Sequence, residues 1–256
     1  MKRCKLLSIN VDSISYEEIY DYIISLSNKE EASHVVLLDT YLLMRAKFNK
    51  ELASIINNAD LVIPISRGLQ FGLNFFKIKL AGIYNSFKFT IRLFTKISES
   101  GKNLYMIGGQ NQKDSEKAEK NIRESFPGIK LMGKYHASYK KDFEKKLLLA
   151  IYKVSPSFVL VSGRKPRQEK WIYRHKNKFN NCVFIGVDNF VHILAGKEKY
   201  QKYIDMGKYD FEKLNSRPFK GFLYFCYFFA LIFSKLFIKD NSGESEEELW
   251  KDEKQS

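Results

Sequence analysis

Cysteine is scarce in this sequence. Cys4, Cys182 and Cys226 are odd in number and far apart, which argues against a disulfide framework and leaves no metal-ligand spacing. Cys182 sits in an apolar run and reads as a small core residue. No apolar h-region follows the basic start Met1-Lys2-Arg3-Cys4-Lys5, so no secretory signal is read and a cytoplasmic location is expected. No internal repeat is visible. Gly108-Gly109 lacks the Lys-Ser/Thr pair of a Walker loop. No recognised nucleic-acid-binding module is present, so nucleic acid is not an expected partner in spite of the charge. The uncharged run from Gly221 to Ser234 would rise only about 21 Å as a helix, short of the roughly 30 Å hydrocarbon core of a bilayer.

The 256 residues carry 45% apolar residues and a net charge of +14, ample for a folded core. The charge is uneven. Residues Asp240 to Ser256 hold seven acids and two lysines, a net of −5, which leaves +19 on the rest. A body so basic favours anionic partners, namely phosphorylated ligands or an anionic membrane surface, although a Lys-rich solvated surface explains it equally simply. The acidic tail reads as disordered.

Apolar strand-like runs alternate with amphipathic helical stretches, the pattern of an α/β protein with a Rossmann-like, mostly parallel sheet flanked by helices. Strands are expected near Cys4–Ile9, His34–Leu38, Leu61–Pro64, Asn103–Ile107, Ile129–Lys134, Phe158–Ser162 and Cys182–Val187. Ser15 with Glu18 forms a capping-box signature for the first helix. Further helices are expected after Asp39, near Asp114, and over Lys140–Val154. Residues 1–196 form the expected main domain. Residues 197–239 form a basic, aromatic, helical appendage whose Phe/Tyr run suits an interfacial or re-entrant membrane-facing helix, a buried or oligomer-interface helix, or a transmembrane one. Residues 240–256 are the tail.

Two motifs point to a ligand. The strand Phe158–Ser162 runs into Pro166-Arg167-Gln168-Glu169-Lys170-Trp171-Ile172. Pro166 suits helix position N1, which places Gln168 and Glu169 on the first turn, at the carboxyl edge of the sheet where α/β proteins bind ligands. A helix start with an acid suited to the macrodipole is the simpler reading of the same residues. Gly108-Gly109, between a strand and a helix, allows close approach of backbone to a phosphate, and an ordinary βα turn accounts for it as well.

In their order, Asn103–Gly109, Phe126-Pro127-Gly128-Ile129, Phe158–Ile172 and Gly186–Gly196 resemble the WecG/TagA/CpsF glycosyltransferases over roughly Ile9 to Lys220. The resemblance implies transfer of an N-acetylmannosamine-type sugar from a UDP-sugar donor to a lipid-linked (polyprenyl-diphosphate) acceptor. It implies no cofactor or metal, and work at the inner face of the cell membrane with Arg217 and Lys220 as diphosphate contacts. Homo-oligomers are possible.

Several positions depart from the family pattern. Its Thr-x-Asn is Leu37 and Asp39 here, and its Pro-Asp-Gly, with the proposed catalytic Asp, is Pro64-Ile65-Ser66. Arg-Val-Thr-Gly-x-Asp is Lys79-Leu80-Ala81-Gly82-Ile83-Tyr84. The Gly before Pro-x-Gln-Glu is Arg164, and Gly-Val-Gly-Gly is Gly186-Val187-Asp188-Asn189 followed by Val191-His192. Ile65 cannot take a proton. Asp39, at the neighbouring strand end, is the candidate replacement base, with helix capping as its simpler role. Asp188 with His192 is a second candidate pair. Arg164 would fill the pocket or contact a diphosphate. The expected substrate contacts are Gly108, Gly109, Arg164, Gln168, Glu169, Asp188, Arg217 and Lys220. The alternative to a divergent transferase is an inactive relative acting as a membrane-associated binding or scaffold protein.

Overall fold

The computed structural model describes residues 1–109, 111–135, 141–197 and 221–236. Arg217, Lys220 and the acidic tail lie outside them. The chain opens with an antiparallel hairpin, β1 (Lys2–Leu6) and β2 (Ile9–Ser13). A single strand was expected here. Leu7 and Ser8 instead turn the chain with φ of 50° and 72°, a conformation that side chains other than Gly, Asn and Asp rarely adopt.

The main sheet has six parallel strands in the order β4-β3-β8-β7-β5-β6. These are β3 (Ser33–Leu38), β4 (Leu61–Pro64), β5 (Asn103–Ile107), β6 (Lys130–Tyr135), β7 (Phe158–Val161) and β8 (Val183–Gly186). Its inner strands are buried and mostly apolar because both faces are covered, with Ser33 and His34 of β3 the buried polar exceptions. Side chains alternate between the faces. Val35, Leu37, Phe158, Leu160, Val183 and Ile185 enter one core, packed beneath α1 (Glu18–Leu26), α5 (Ser86–Glu99), α6 (Gln112–Ser125) and α9 (Phe190–Leu194). On the other face, Val36, Leu38 and Val62 join a core with the hairpin, α2 (Thr40–Lys47), α3 (Lys50–Asn57) and α4 (Arg67–Phe75). Val159, Val161 and Phe184 pack with α7 (Lys141–Val154) and α8 (Arg167–His175). β8, late in sequence, lies between β3 and β7 and pairs with both.

The Ser15 half of the expected capping box forms, while Glu18 reaches back to the Ser15 hydroxyl and the residue at the N-cap of α1 is Glu17. Glu18 N–H donates to Ser15 Oγ at 3.3 Å, and that hydroxyl meets the Glu18 carboxylate at 3.0 Å. The hairpin is clamped to the sheet edge by Asp12. Its buried carboxylate takes a two-pronged bond from Arg3 at 2.7 and 2.8 Å and another from Val62 N–H at 2.8 Å.

Residues 221–236 form a helix, α10. It seats Leu223, Tyr227 and Leu231, spaced four apart on one face, in the hairpin-side core. The Tyr227 hydroxyl donates to Gly68 O at 2.8 Å, and Gly72 leaves room for that ring, since a Cβ there would fall 2.0 Å from its hydroxyl. The opposite face is bare: Phe222, Phe225, Phe228, Phe229, Ile232, Phe233 and Leu236 are all exposed. Among the described residues no helix is long and apolar enough to cross a membrane.

Candidate active site

Three parallel strand ends, those of β3, β8 and β7, deliver Asp39, Asp188 and the loop 162–166 to one edge of the sheet. Asp39 caps α2: its Oδ1 accepts from Leu42 N–H at 2.7 Å, the role its sequence position suggested. Its other oxygen meets Lys165 Nζ at 3.0 Å. The Lys165 side chain is only 3% exposed, which makes it the central feature of the crevice. Burial alone lowers the pKa of this ammonium. Asp39, then Asp188, and more weakly Glu169, outweigh burial and hold it above the ordinary lysine value.

Lys165 was not singled out by the sequence pattern, although Asp39, Asp188 and Glu169 around it were. The cation flagged there, Arg164, is exposed, so it does not fill the pocket. Of the two adjacent cations, the second turns inward. Pro166 is the N-cap residue of α8 and precedes its first helical position, contrary to the N1 placement.

Gln168 and Glu169 do lie on the first turn of α8, but both are fully buried. Gln168 Oε1 accepts from Gly163 N–H at 3.1 Å and its Nε2 donates to Glu169 Oε1 at 3.0 Å. Glu169 Oε2 lies 2.8 Å from His34 Nε2. The pair passes over Gly186, where a Cβ would sit 2.6 Å from Glu169 Oε1. This is a buried polar network tying the turn 163–169 to β3 and β8. It shapes the crevice from below, and substrate would reach these side chains only after a rearrangement. His34 Nδ1 and Ser33 Oγ are buried without a hydrogen-bond partner.

Gly108 and Gly109 lie where β5 meets the same edge. A Cβ on Gly108 would meet Ser162 Cβ at 2.6 Å and Val191 Cγ2 at 2.7 Å, and Gly109 holds φ 90°. The close approach they permit is between β5, β7 and α9, stitched by Ser115 Oγ to Gly108 O at 2.8 Å and Val191 N–H to Ser162 Oγ at 3.0 Å.

Asp188 lies near enough to Lys165 to raise its pKa. It does not cap α9, whose N-cap is Asn189 in the left-handed conformation. His192 lies beside α6, with Nδ1 4.0 Å from Asp114, whose carboxylate also holds Lys197 at 2.8 Å. Ile65 packs against the main core, and its N–H donates to Leu38 O at 2.9 Å.

The ends of β3 and β8 therefore hold one buried ammonium paired with Asp39, with Asp188 near enough to raise its pKa. Such a set can exchange a proton at Asp39 and offer a cation to a leaving phosphate.

The profile of the Glycosyl transferase WecG/TagA/CpsF family matches residues 4–201. Proteins from Staphylococcus aureus strains NCTC 8325, COL and MRSA252, each named N-acetylglucosaminyldiphosphoundecaprenol N-acetyl-beta-D-mannosaminyltransferase, are 28% identical to the chain over 112 residues. That stretch is 44% of this chain and 41% of each relative, so the match spans less than half the length of those proteins.

Proposed function

Because the chain belongs to the Glycosyl transferase WecG/TagA/CpsF family, we propose that it transfers an N-acetylmannosamine-type sugar from a UDP-sugar to a lipid-linked diphosphate acceptor. The observation that carries this reading is the ion pair of Asp39 with the buried Lys165, a proton acceptor and a cation placed together at the strand ends.

In an inverting transfer the acceptor hydroxyl attacks the anomeric carbon. Its proton passes to Asp39, and the bond from that carbon to the donor's phosphate oxygen breaks, so that UDP leaves with the electron pair. Asp39 Oδ1 is fixed by the α2 N-terminus and Oδ2 faces Lys165. Entry of the diphosphate moves the ammonium toward phosphate oxygen, freeing Oδ2 to take the proton. Gln168 and Glu169 position this loop by anchoring it to His34 and Gly163. The bare face of α10 suits the interface of the membrane that carries the acceptor, with α10 lying on the bilayer.

A transfer assay with purified protein, a lipid-linked acceptor and a panel of UDP-sugars tests the proposal. Asp39→Asn is expected to lower turnover by about 10²–10⁴-fold. Unchanged turnover in that variant would sink Asp39 as the base.

A second reading has its own support. The residue at the family's base position, Ile65, is half-buried against the core, and Lys165 already pairs with the carboxylate of Asp39. A protein that binds UDP-sugar without turning it over would show saturable UDP binding and no product with any donor.

A further inference from the structure

A polar cleft of about 610 Å³ opens at the amino edge of the sheet, where Lys102, Ser157 and Cys182 lead into β5, β7 and β8. Its volume is in the range of small-ligand sites, about 300–1,000 Å³. The crevice at Asp39 and Lys165 is at the other edge. Cys182 and Val187, at the two ends of β8, are roughly 16 Å apart at about 3.3 Å per residue.

The charges around the cleft decide what it can hold. α1 and α7 end there: Ser27 N–H donates back to Ile24 O at 3.1 Å, and Ser155 N–H to Ile151 O at 2.9 Å. Carbonyl ends of helices carry partial negative charge, which opposes an anion and favours lysines nearby. The two lysines present are already engaged. Lys102 donates to Asn28 Oδ1 at 2.7 Å, and Lys178 Nζ lies 3.3 Å from His175 Nδ1. No carboxylate lines the cleft among the described residues, so a cation finds no counter-charge. A neutral ligand meets neither objection.

The remaining lining is neutral and polar: the amides of Asn28, Asn180 and Asn181 and the hydroxyls of Ser27, Ser155 and Ser157. Amides and hydroxyls both donate and accept, as sugar hydroxyls do. Asn28 is oriented by Lys102, and Asn181 by donating to Lys29 O at 3.0 Å. The side chains of Asn180 and Ser157 make no hydrogen bond among the described residues. Beside them Tyr152, in the last turn of α7, keeps 65% of its surface exposed. The turn that carries it is held in an uncommon form. Ser155 has φ 46°, where a glycine commonly follows a helix, and its hydroxyl donates to Tyr152 O at 3.0 Å. An open aromatic ring among amides and hydroxyls suits a pyranose, whose C–H face lies on the ring while its hydroxyls reach the polar groups.

We propose that this cleft binds a neutral oligosaccharide, at the edge of the sheet opposite the crevice of Asp39 and Lys165. The assignment rests on the lining of the cleft and stands without the transferase reading.

The test is saturation-transfer NMR on the full chain with maltotriose, tri-N-acetylchitotriose and inorganic pyrophosphate, each with and without UDP. The wild type is compared with the double variant Tyr152→Ala, Asn180→Ala and with Tyr152→Phe. Both positions are exposed, so the unfolding midpoint should stay put. At least one trisaccharide should bind and should not be displaced by UDP. The double variant should bind it at least about tenfold more weakly, having lost a ring contact and a hydrogen bond. Tyr152→Phe keeps the ring and should stay close to wild type. Trisaccharide binding that is absent, that UDP displaces, or that the double variant retains overturns the proposal. Pyrophosphate binding that is lost in the variant Lys102→Gln, Lys178→Gln also overturns it, and makes the cleft an anion site. A chain that binds a trisaccharide here yet transfers no sugar counts against the transferase reading alone.

Discussion

Lys165 is costly to bury and is held by charge. Its ammonium lies among Asp39, Asp188 and Glu169, with one direct bond at 3.0 Å. Replacement by Met would leave two carboxylates at a strand edge without their counter-ion. Breaking a fully buried pair costs about 3–5 kcal/mol. Asp39 keeps 15% side-chain exposure, so a loss of about 2–3 kcal/mol is expected for Lys165→Met in chemical denaturation at neutral pH. The folded pKa is raised, so the stabilising contribution is complete below the ordinary lysine value of about 10.4 and is lost as pH rises through the folded value. Stability of the wild type should fall in that alkaline range, and the Met variant should lack this component. Equal alkaline profiles for the two proteins would contradict the assignment. At this scale the sequence is informative where a role is local. Asp39 as a cap and the Ser15–Glu18 contact each depend on neighbours three residues away. The inward turn of Lys165, and the burial of Gln168 and Glu169, depend on His34, Asp39 and Gly186, which are distant in sequence and leave no mark near residue 165.

Among the elements, α10 has two faces with different duties. Leu223, Tyr227 and Leu231 close the hairpin-side core, each contributing about 1.5–3 kcal/mol on burial. Phe225, Phe229 and Phe233 contribute nothing to that core and remain exposed. Deleting the helix would therefore strip the core and confuse misfolding with loss of membrane contact. Replacing Phe225, Phe229 and Phe233 with Ser separates the two. Sedimentation with anionic vesicles should drop severalfold while the unfolding midpoint stays within a few degrees. Vesicle binding that survives the triple change would refute the interfacial role. The described part of α10 is sixteen residues, about 24 Å, and takes in the short uncharged run read from the sequence. Its docking face was not readable there, because Gly68 and Gly72 on α4 make the groove for Tyr227. The hairpin was missed for a related reason. Leu7 and Ser8 are poor turn residues, and the turn is imposed by Asp12 locking β2 to Arg3 and Val62.

For the whole molecule, alternating apolar and amphipathic segments were enough to establish the parallel α/β class. They did not establish the order of strands, since the inner strands are all dominated by apolar residues and fit any central position. The observed order puts β8 between β3 and β7, and this has a consequence for assembly during synthesis. A ribosome that has emitted residues 1–180 has released β3 with β4 on one side, and β5, β6 and β7 on the other, with no strand to join them. The two half-sheets expose their inner edges until Val183–Gly186 emerges and pairs with both. Such long-range closure is slow and leaves strand edges open to aggregation. A chain released at residue 180 should be protease-sensitive and show no cooperative unfolding. A sharp transition in that fragment would mean that the halves fold independently. The last strand is thus the keystone in time as well as in space, and the Asp39–Lys165 contact, which bridges the two halves, can form only after it arrives.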